Sequence, residues 1–547
     1  MASGLHTAVR IRGVVATIAF AAVLGGCRRG PAVAPHTPPQ DLRDALAAIV
    51  SVKTSPPYVL KTRGGRQVWA LTREFYQKRS FVPAWADDER SRSADVLIDT
   101  LQHADRDALD PARYGARDLA RLRDDVRRGV DRRNEARAAM TLDARLTYAF
   151  LQYASDLAAG VTEGRTIRWK TSAPASNPLQ SLDDALARDR VADVLGDLQR
   201  RNPSYASLRE ALHTYRSMAA AGGWPSLPAG FRVKRGERSP LLPALAKRLA
   251  VTGDYSPPAG RPDSGTPIYD ETLENAVRHF QRRHGLEADG VVGKTVVAEL
   301  NVPAAERVRQ IELNLERWRW LPRDLGDRHI LVNVPEYRLE VWDHGSVPLA
   351  MRVVVGKKDA QTPAFSSAMS YVVLAPFWNV PADIAENETL PSAESDPSFL
   401  ERTHMEVVDT RGRAVDPKSI DLSDARRYRF RQRPGDSNSL GLVKFMFPNP
   451  YNVYLHDTPA DALFTRETRA FSHGCVRIEQ PEELADYVLR DRPDWTPDRI
   501  REAMHGSEQT TVTLREKIPV YIAYFTARVA PDGEVHFFRD IYGRDRQ

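Results

Sequence analysis

The sequence predicts a multidomain α+β protein with a helical amino-terminal part, a small helical unit and a mainly β carboxy-terminal part. Its 547 residues favour three or four domains over one large core, at about 150 residues per domain. Apolar residues recur at helical spacing up to about residue 320, and strand-like alternation begins near residue 330. Hydrophobic residues make up 42% and charged residues 27%, so wholesale disorder and a polytopic membrane protein are both disfavoured.

The charge balance does not indicate a nucleic-acid partner. The formal net charge is +6, which is small for 547 residues. The densest basic stretch, residues 121–133, is interleaved with Asp124, Asp125 and Asp131. This mixture is more typical of a solvated helix face than of a basic binding patch.

The first residues predict export. Arg10 and Arg12 precede an apolar run from Gly13 to Gly26, which is too short to span a bilayer at about 20 residues per helix. Residues 1–26 are therefore expected to be a secretory signal peptide. The small residues before Cys27 resemble a bacterial lipobox, which implies lipidation of Cys27 and a membrane anchor. An ordinary cleavage site with an incidental cysteine is the alternative.

The resemblance to lipoproteins also suggests a location. If the host is Gram-negative, Arg28 as the second mature residue implies a periplasmic protein anchored at the outer membrane. The only other cysteine is Cys475. If Cys27 carries lipid, an intramolecular disulfide is excluded, so a lone exported thiol at Cys475 must be either buried or used.

Composition divides the amino-terminal half into a tether and a scaffold. Residues 27–60 are rich in Pro and Ala, which predicts an extended tether. Residues 61–240 are mainly helical in pattern, with Leu142, Leu146, Phe150 and Tyr153 at helical spacing. No catalytic cluster is visible there, so this part is expected to be a helical scaffold domain.

Residues 241–303 form a separate small unit. Leu273, Ala276, Val277 and Phe280 share one helix face, and the glycines that follow do not match a dinucleotide fingerprint. The run from Val277 to Gly293 resembles the small three-helix peptidoglycan-binding module of many cell-wall enzymes. A helical spacer without a ligand is the alternative. Residues 304–329 are expected to be a connecting helix.

The remaining chain alternates like strands. Residues 330–334, 337–341 and 347–356 predict strands around a hairpin turn at residues 343–346. Residues 383–440 are charged and strand-poor, which suggests a lid insertion within a 330–505 domain. Residues 506–547 contain further strands that are expected to complete this domain or the scaffold.

Two residues in this part suggest covalent catalysis. His456 and Cys475 lie 19 positions apart, far enough to meet from different strands. A thiolate is the attacking form of cysteine, and a neighbouring imidazole stabilises it as an ion pair. Gly474 permits a sharp turn, which could direct the amides of Gly474 and Cys475 at a developing oxyanion.

Two other interpretations of these residues remain. His456, Asp457, His473 and Cys475 are all possible zinc ligands, although they lack the usual helical spacing of zinc ligands. The carboxy-terminal domain could also be a non-catalytic relic on a lipid-anchored protein that only binds the cell wall. A cysteine taken singly is more often inert packing than a nucleophile.

The joint pattern resembles the L,D-transpeptidases, the cysteine enzymes that remodel peptidoglycan. Its core is Ser472-His473-Gly474-Cys475-Val476-Arg477 downstream of His456. Residues 75–85 and 109–114 resemble the scaffold of the large members, and residues 431–449 resemble the run that enters their catalytic site. Ser437 and Ser439 depart from the smaller apolar residues expected there. The resemblance covers roughly residue 65 to the carboxy terminus.

The resemblance implies a fold and a set of roles. The fold would comprise a helical scaffold, a three-helix peptidoglycan-binding module and a mainly β catalytic domain with a lid. Cys475 would be the nucleophile and His456 its base, and the Asp457 backbone would orient the imidazole. The other implied residues shape the site or contact substrate: His473, Gly474, Ser472, Arg477, Tyr454 and Trp378. By the same resemblance Arg477 would bind a carboxylate or brace the loop, because a guanidinium makes bidentate contacts; a structural ion pair is an equal alternative. For Tyr454 and Trp378 core packing is the equal alternative.

The implied reaction is acyl transfer between peptidoglycan stems. Cys475 would attack a tetrapeptide stem, release D-alanine and form a thioester. The amine of a second stem, from diaminopimelate, would resolve the thioester and link third-position residues; water would make the enzyme a carboxypeptidase. No nucleotide, metal or redox cofactor is implied. The expected partners are peptidoglycan and, through the lipid, a membrane. The resemblance also implies a role in cell-wall biogenesis and cell shape. It further implies that carbapenems would acylate the thiol.

Overall fold

The computed structural model describes residues 40–546 except 53, 87, 131–133, 162–176, 188–189, 200–202, 257–265, 397 and 420–427. The signal peptide, the lipobox and Cys27 lie outside the described residues, so their assignments stay predictions. Of the helices described, none is both long enough and apolar enough to cross a bilayer.

A helical domain begins earlier than the sequence suggests. Its central helix is 25 residues long and buries Leu146, Phe150 and Tyr153 in a shared apolar core, as the helical spacing predicts. The helices are α1 (Gln40–Val50), α2 (Arg63–Lys78), α3 (Asp88–Gln102), α4 (Ala116–Arg128), α5 (Glu135–Ala159), α6 (Pro178–Ala187) and α7 (Val191–Gln199). The tether predicted for residues 27–60 is therefore wrong from residue 40 onward, because Leu46 and Val50 pack into this core.

One buried acid explains why the scaffold-like sequence motif folds together. Asp143 on α5 accepts hydrogen bonds from the Ala84 and Trp85 amides and from the Tyr76 hydroxyl at 2.6–3.0 Å. Buried carboxylates require such donors. The segment around residues 75–85 is thereby fixed against the central helix.

The small module is larger than residues 241–303. Leu227, Phe231 and Val233 pack into its core, so the predicted 61–240 scaffold extends too far. Its helices are α9 (Leu242–Val251), α10 (Glu271–Arg283) and α11 (Lys294–Leu300), after α8 (Pro203–Ala220) of the preceding part. All four residues of the predicted apolar face of α10 are buried.

The predicted connecting helix packs into a core that it shares with neighbouring elements, and is not an isolated linker. It is α12 (Ala304–Arg319). Ile311 and Leu315 on α12 pack with Tyr205 and Leu212 of α8 and with Phe525 near the carboxy terminus. Helix α8 thus belongs to a core shared with the β domain and not to the core of α1–α7.

The β domain begins with the predicted hairpins. Its first strands are β1 (Arg328–Asn333), β2 (Arg338–Asp343), β3 (Ser346–Gly356) and β4 (Phe365–Leu374). Asp343 pairs with Ser346 across a two-residue turn in which His344 and Gly345 both have positive φ, the geometry that favours tight hairpins.

The insertion is a folded unit, so the expectation of a strand-poor segment with little core over 383–440 is wrong. Val380, Leu400, Val407 and Phe430 form a small core of its own. Its elements are β5 (Trp378–Asn379), α13 (Ala382–Ile384), a π-helical turn (Ala385–Thr389), α14 (Leu390–Ser395), α15 (Phe399–Arg402), β6 (Met405–Asp409), β7 (Ala414–Val415) and β8 (Tyr428–Gln432). The four strands pair in the order β5-β8-β6-β7.

The chain then returns to the main sheet. The next elements are β9 (Val443–Met446), β10 (Leu455–His456), β11 (Ala470–Ser472), β12 (Val476–Ile478), α16 (Pro481–Leu489), α17 (Pro497–Met504), β13 (Thr510–Ala523), β14 (Ala527–Val529) and β15 (Val535–Phe537). Nine strands pair in the order β11-β3-β12-β10-β9-β4-β13-β1-β2, and β2 also pairs with β3. The sheet therefore closes on itself, and β13 supplies an interior strand of the catalytic sheet.

Candidate active site

Strand register places the predicted catalytic residues on one face of the sheet. Strands β10 and β12 run parallel, with Leu455 opposite Val476 and His456 opposite Arg477. Leu455 and Val476 point into the core. Because side chains alternate along a strand, His456 and Arg477 point the other way. Cys475 directly precedes β12 and lines the same cleft as these two residues.

This face opens into a cleft of about 640 Å³. One wall comes from the insertion and the other from the sheet. The insertion contributes Trp378, Asn379, Pro381, Asp383, Ile384 and Glu388, and the sheet side contributes Ser439, Leu440, Tyr451, Asn452, Tyr454, His456, Ser472, His473, Cys475 and Arg477. The insertion thus occupies the position expected of a lid, and Trp378 and Tyr454 lie in the cleft walls.

The turn that carries Cys475 is held by hydrogen bonds. Ser472 Oγ donates to the Cys475 carbonyl at 2.5 Å and accepts from the Gly474 amide at 3.1 Å. Gly474 has φ +116°, a conformation that favours glycine. Since the Gly474 amide is engaged by Ser472, the sequence expectation that it faces an oxyanion is not supported. The Cys475 amide is the remaining candidate donor.

A distant threonine braces this turn. Thr362 is fully buried. Its Oγ1 donates to the Gly474 carbonyl at 2.8 Å and accepts from the Gly356 amide at 2.9 Å. Tyr542 Oη in turn donates to the Gly356 carbonyl at 2.6 Å. Sequence reasoning missed Thr362 and Tyr542, because neither lies near the motif and neither residue type signals such a role.

His456 is arranged as a neutral base. Its Nδ1 lies 2.5 Å from the Asp457 carbonyl, which fixes the proton on Nδ1 and leaves Nε2 as the acceptor. Burial, with repulsion from the Arg477 guanidinium, lowers the pKa of His456 to about 3. The Asp457 backbone thus occupies the orienting position that the resemblance implies.

Burial favours the neutral form of the Cys475 thiol. Burial raises the pKa of Cys475 above its usual range, against smaller opposing effects of Tyr454 hydrogen bonds and the Arg477 charge. Its Sγ donates to the Asn452 carbonyl at 3.7 Å. The expected preformed ion pair is therefore not what the site favours. A neutral thiol and a neutral imidazole in one cleft favour proton transfer during attack over a preformed ion pair.

Asn452 is a third residue that sequence reasoning missed. It has φ +55°, which asparagine tolerates better than most residues, and this turns its carbonyl toward the sulfur. Asp457 contributes through its carboxylate as well as its backbone: Oδ2 accepts from the Leu442 amide at 2.7 Å and Oδ1 from the Thr458 amide at 2.6 Å. Strands β9 and β10 are tied together at the base of the cleft.

His473 contacts the insertion. Its Nε2 lies 2.8 Å from Glu388 Oε1 in the π-helical turn and 3.4 Å from Lys357 Nζ. It therefore connects the nucleophile turn with the lid. The four residues considered as zinc ligands are engaged separately, and among the described residues no three His, Cys, Asp or Glu side chains converge as a metal site.

Arg477 is not part of a structural ion pair. Within the described part of the chain its guanidinium has no carboxylate partner, and its Nε is buried without a hydrogen bond. Burial lowers the pKa of Arg477. This outcome disfavours the structural alternative for Arg477 and leaves a cation available to a ligand.

Comparison with known protein families assigns three regions. Residues 327–521 match the L,D-transpeptidase catalytic domain, residues 70–212 match the scaffold domain, and residues 238–300 match the family described as "Putative peptidoglycan binding domain". The predicted fold class is confirmed. A Haemophilus influenzae protein named "Putative L,D-transpeptidase" is 37% identical over 244 residues, 44% of this chain and 48% of that protein. The chain thus spans about half the length of this curated relative.

Solved structures give a weaker comparison. An L,D-transpeptidase from Mycobacterium smegmatis is 14% identical, with 37% of this chain and 59% of that chain covered and a TM-score of 0.18. An L,D-transpeptidase from Stackebrandtia nassauensis is 14% identical, with 54% and 97% covered and a TM-score of 0.21. At these scores the resemblance of the whole chains carries no weight.

Proposed function

From the premise that the chain combines the catalytic, scaffold and peptidoglycan-binding domains of a large L,D-transpeptidase, we propose that it transfers acyl groups between peptidoglycan stems through a thioester on Cys475. One observation supports this most. His456 on β10 and Cys475, directly before β12, line the same cleft, which the insertion roofs.

The first half-reaction follows from the protonation states. As Sγ of Cys475 attacks the carbonyl carbon of the third stem residue, its proton passes to Nε2 of His456. The Cys475 amide is the candidate donor to the oxyanion. Collapse breaks the amide bond, His456 returns the proton to the leaving amine, and D-alanine departs with the acyl group left on sulfur as a thioester.

The second half-reaction reverses these roles. The diaminopimelate amine of another stem attacks the thioester, gives up a proton to His456 and releases the Cys475 thiol when that proton is returned to sulfur. The product is a link between third-position residues. If water attacks instead, the product is a tripeptide stem, and the enzyme acts as a carboxypeptidase.

Purified disaccharide tetrapeptide tests this proposal directly. We expect mass analysis to show free D-alanine, an acyl adduct on the protein and a dimer with a link between third-position residues. Cys475→Ala should abolish all three, whereas exposed Lys517→Gln on β13 should not. Tripeptide alone would reduce the function to hydrolysis. Activity in Cys475→Ala that depends on stoichiometric zinc would overturn the cysteine mechanism.

The same thiol predicts inhibition by carbapenems. A strained β-lactam carbonyl is an acyl donor for Cys475, so intact-mass analysis should show one adduct on the wild type and none on Cys475→Ala. An adduct on both proteins would show modification elsewhere.

We also propose export and lipidation at Cys27. The support is the apolar run that ends at this cysteine. Radiolabelled fatty acid should be incorporated into the wild type and not into Cys27→Ser, and the variant should leave the outer-membrane fraction for the soluble periplasm. A soluble, unlabelled wild type would contradict this.

A further inference from the structure

A second cavity lies on the other side of the closed sheet from Cys475. Its volume is about 500 Å³, within the range of small-molecule sites. His329 and Leu331 on the outer face of β1 form its floor, and its walls include Trp342 on β2, Trp318 on α12 and the beginning of α8. Counted either way around the closed sheet, β1 is the fourth strand from β10. The cavity is therefore separate from the catalytic cleft.

Aromatic rings form much of the cavity wall. Trp318 is stacked on Phe525, with ring centroids 4.6 Å apart and planes 18° apart. His329 and Trp342 are paired across β1 and β2, and their rings are stacked with centroids 5.9 Å apart and planes 5° apart. All four residues line the cavity. Flat apolar surfaces of this kind favour a ligand that has a flat apolar face of its own.

The aromatic wall also offers a hydrogen-bond donor and an acceptor. Trp318 is only 6% exposed, and its indole Nε1 is buried without a hydrogen-bond partner in the described part of the chain. His329 Nδ1 donates to the Gly326 carbonyl at 2.8 Å, which leaves Nε2 as an acceptor. Burial lowers the pKa of His329, so its ring is neutral. Since buried polar groups are normally hydrogen-bonded, these atoms indicate a ligand that both accepts and donates.

The charges around the cavity do not favour an ion. Arg323 and Asp324 are both exposed at its mouth, so neither sign of charge dominates there. Arg528, which also lines the cavity, already donates to Glu336 at 2.8 Å and to Glu340 at 3.0 Å. A neutral polar ligand therefore fits better than an anion or a cation. A sugar ring meets each requirement, because one of its faces carries C–H groups while the substituents on its edge donate and accept hydrogen bonds.

We propose that this cavity binds an N-acetylated amino sugar of the glycan strand of peptidoglycan, with the sugar ring packed against the aromatic wall. The identification of the glycan as peptidoglycan rests on the proposed function. Because the cavity and the cleft lie on opposite sides of the sheet, the sugar bound here is not the one that carries the reacting stem. The cavity thus anchors a polymeric substrate and contributes nothing with a single disaccharide.

Fluorine NMR of the full chain labelled with 5-fluorotryptophan tests the site directly. The chain has nine tryptophans, and replacement by phenylalanine assigns the signals of Trp318, Trp342 and Trp224. The probe is chitotetraose, a tetramer of N-acetylglucosamine that carries no peptide. We expect saturable shifts of the Trp318 and Trp342 signals. Trp224 contacts Arg248 of the small module, so its signal reports sugar that is bound there instead.

Two substitutions on α8 form a matched pair. Ser204 lines the cavity, so Ser204→Trp should fill part of it and abolish the shifts of Trp318 and Trp342. Ala206 is exposed and lies two residues further, on the opposite face of the helix. Ala206→Trp should therefore leave both shifts unchanged. Melting temperatures show whether the two variants fold, and the wild-type titration does not depend on either of them.

Release of D-alanine measures the consequence for activity. With undigested glycan strands as substrate, Ser204→Trp should raise KM about threefold to tenfold, the size of one or two lost neutral contacts, and keep kcat. With disaccharide tetrapeptide, KM and kcat should both match the wild type. Equal KM values for the variant and the wild type on undigested strands would overturn the anchoring role.

The NMR outcomes separate this inference from the proposed function. Unshifted Trp318 and Trp342 signals, or the same shifts in folded Ser204→Trp, would overturn the sugar site. Shifts caused by stem tetrapeptide without sugar, and not by chitotetraose, would show that the cavity binds peptide instead. In each case, release of D-alanine from disaccharide tetrapeptide would leave the proposed function intact. No release by the folded wild type would contradict that function, whether or not chitotetraose binds.

Discussion

Replacing Thr362 by valine should loosen the turn that carries Cys475. Valine has nearly the shape of threonine but lacks the hydroxyl that links the Gly474 carbonyl to the Gly356 amide. Both backbone groups would stay buried without that partner. Leaving a buried group unpaired costs about 1–3 kcal/mol. At about 1–2 kcal/mol for each of the two groups, roughly 2–4 kcal/mol of folding free energy is lost.

Calorimetry and kinetics measure the two consequences. For a unit of 150–250 residues, each kcal/mol lowers Tm by about 2–4 °C, so Thr362→Val should melt roughly 4–16 °C below the wild type. Its kcat should fall about tenfold or more, because Cys475 directly follows Gly474, whose carbonyl loses the hydrogen bond from Thr362. Thr362→Ser keeps the hydroxyl and should recover most of both properties. A Thr362→Val protein with wild-type Tm and kcat would refute the bracing role.

Three further predictions concern His456, its neighbour Asp457 and a histidine of the small module. Burial and the Arg477 charge lower the pKa of His456 to about 3, so from about pH 6.5 down to 3 the unfolded chain binds a proton that the folded chain does not. The free energy of unfolding should therefore fall as the pH falls through that window, by up to about 5 kcal/mol. In urea titrations at several pH values, the free energy of unfolding of His456→Gln should depend less steeply on pH. Gly441→Ala places a Cβ against the Asp457 carboxylate, so kcat should fall. The amount of titratable Cys475 thiol per protein should stay unchanged. The Asp254 hydrogen bond and Glu534 raise the pKa of His279. Glu534→Gln should therefore lower that pKa in NMR titrations. An unchanged pKa would contradict the contact between His279 of the small module and Glu534 of the β domain.

The parts of the fold that local pattern controls could be predicted from sequence. The alternation of Leu339 and Val341 with polar neighbours marks β2, and Gly345 marks the hairpin. Residues 378–432 were harder to assign, because their core comes from a few apolar side chains spread over a charged segment. Likewise, Pro and Ala around residue 40 suggested a tether, but tertiary contacts of Leu46 and Val50 fix α1.

The candidate site divides in the same way. Cys475 and His456 can be recognised in the sequence because their chemistry depends on the types of the residues and on their order along the chain. Thr362 and Tyr542 are not, because their role depends on where the chain folds back, 113 and 67 positions from Cys475. The protonation states also escape sequence reasoning, since burial and the flanking charges of Lys444 and Arg477 determine them.

The cations on either side of His456 predict a difference between the free enzyme and its donor complex. In the free enzyme burial is the largest cause of the low pKa of His456, and repulsion from Arg477 and Lys444 adds to it. A donor that brings negative charge into the cleft would cancel part of this repulsion, so the pKa of His456 should rise when such a donor binds. The base then becomes stronger as the substrate arrives.

Steady-state kinetics can detect this shift. The acid limb of kcat/KM reports the free enzyme, and that of kcat reports the donor complex. With the tetrapeptide donor, the limb of kcat should lie at higher pH than that of kcat/KM. With Arg477→Gln the two limbs should lie closer together, because one of the repelling charges is removed. Coincident limbs for the wild type would show that the bound donor does not neutralise the charges around His456.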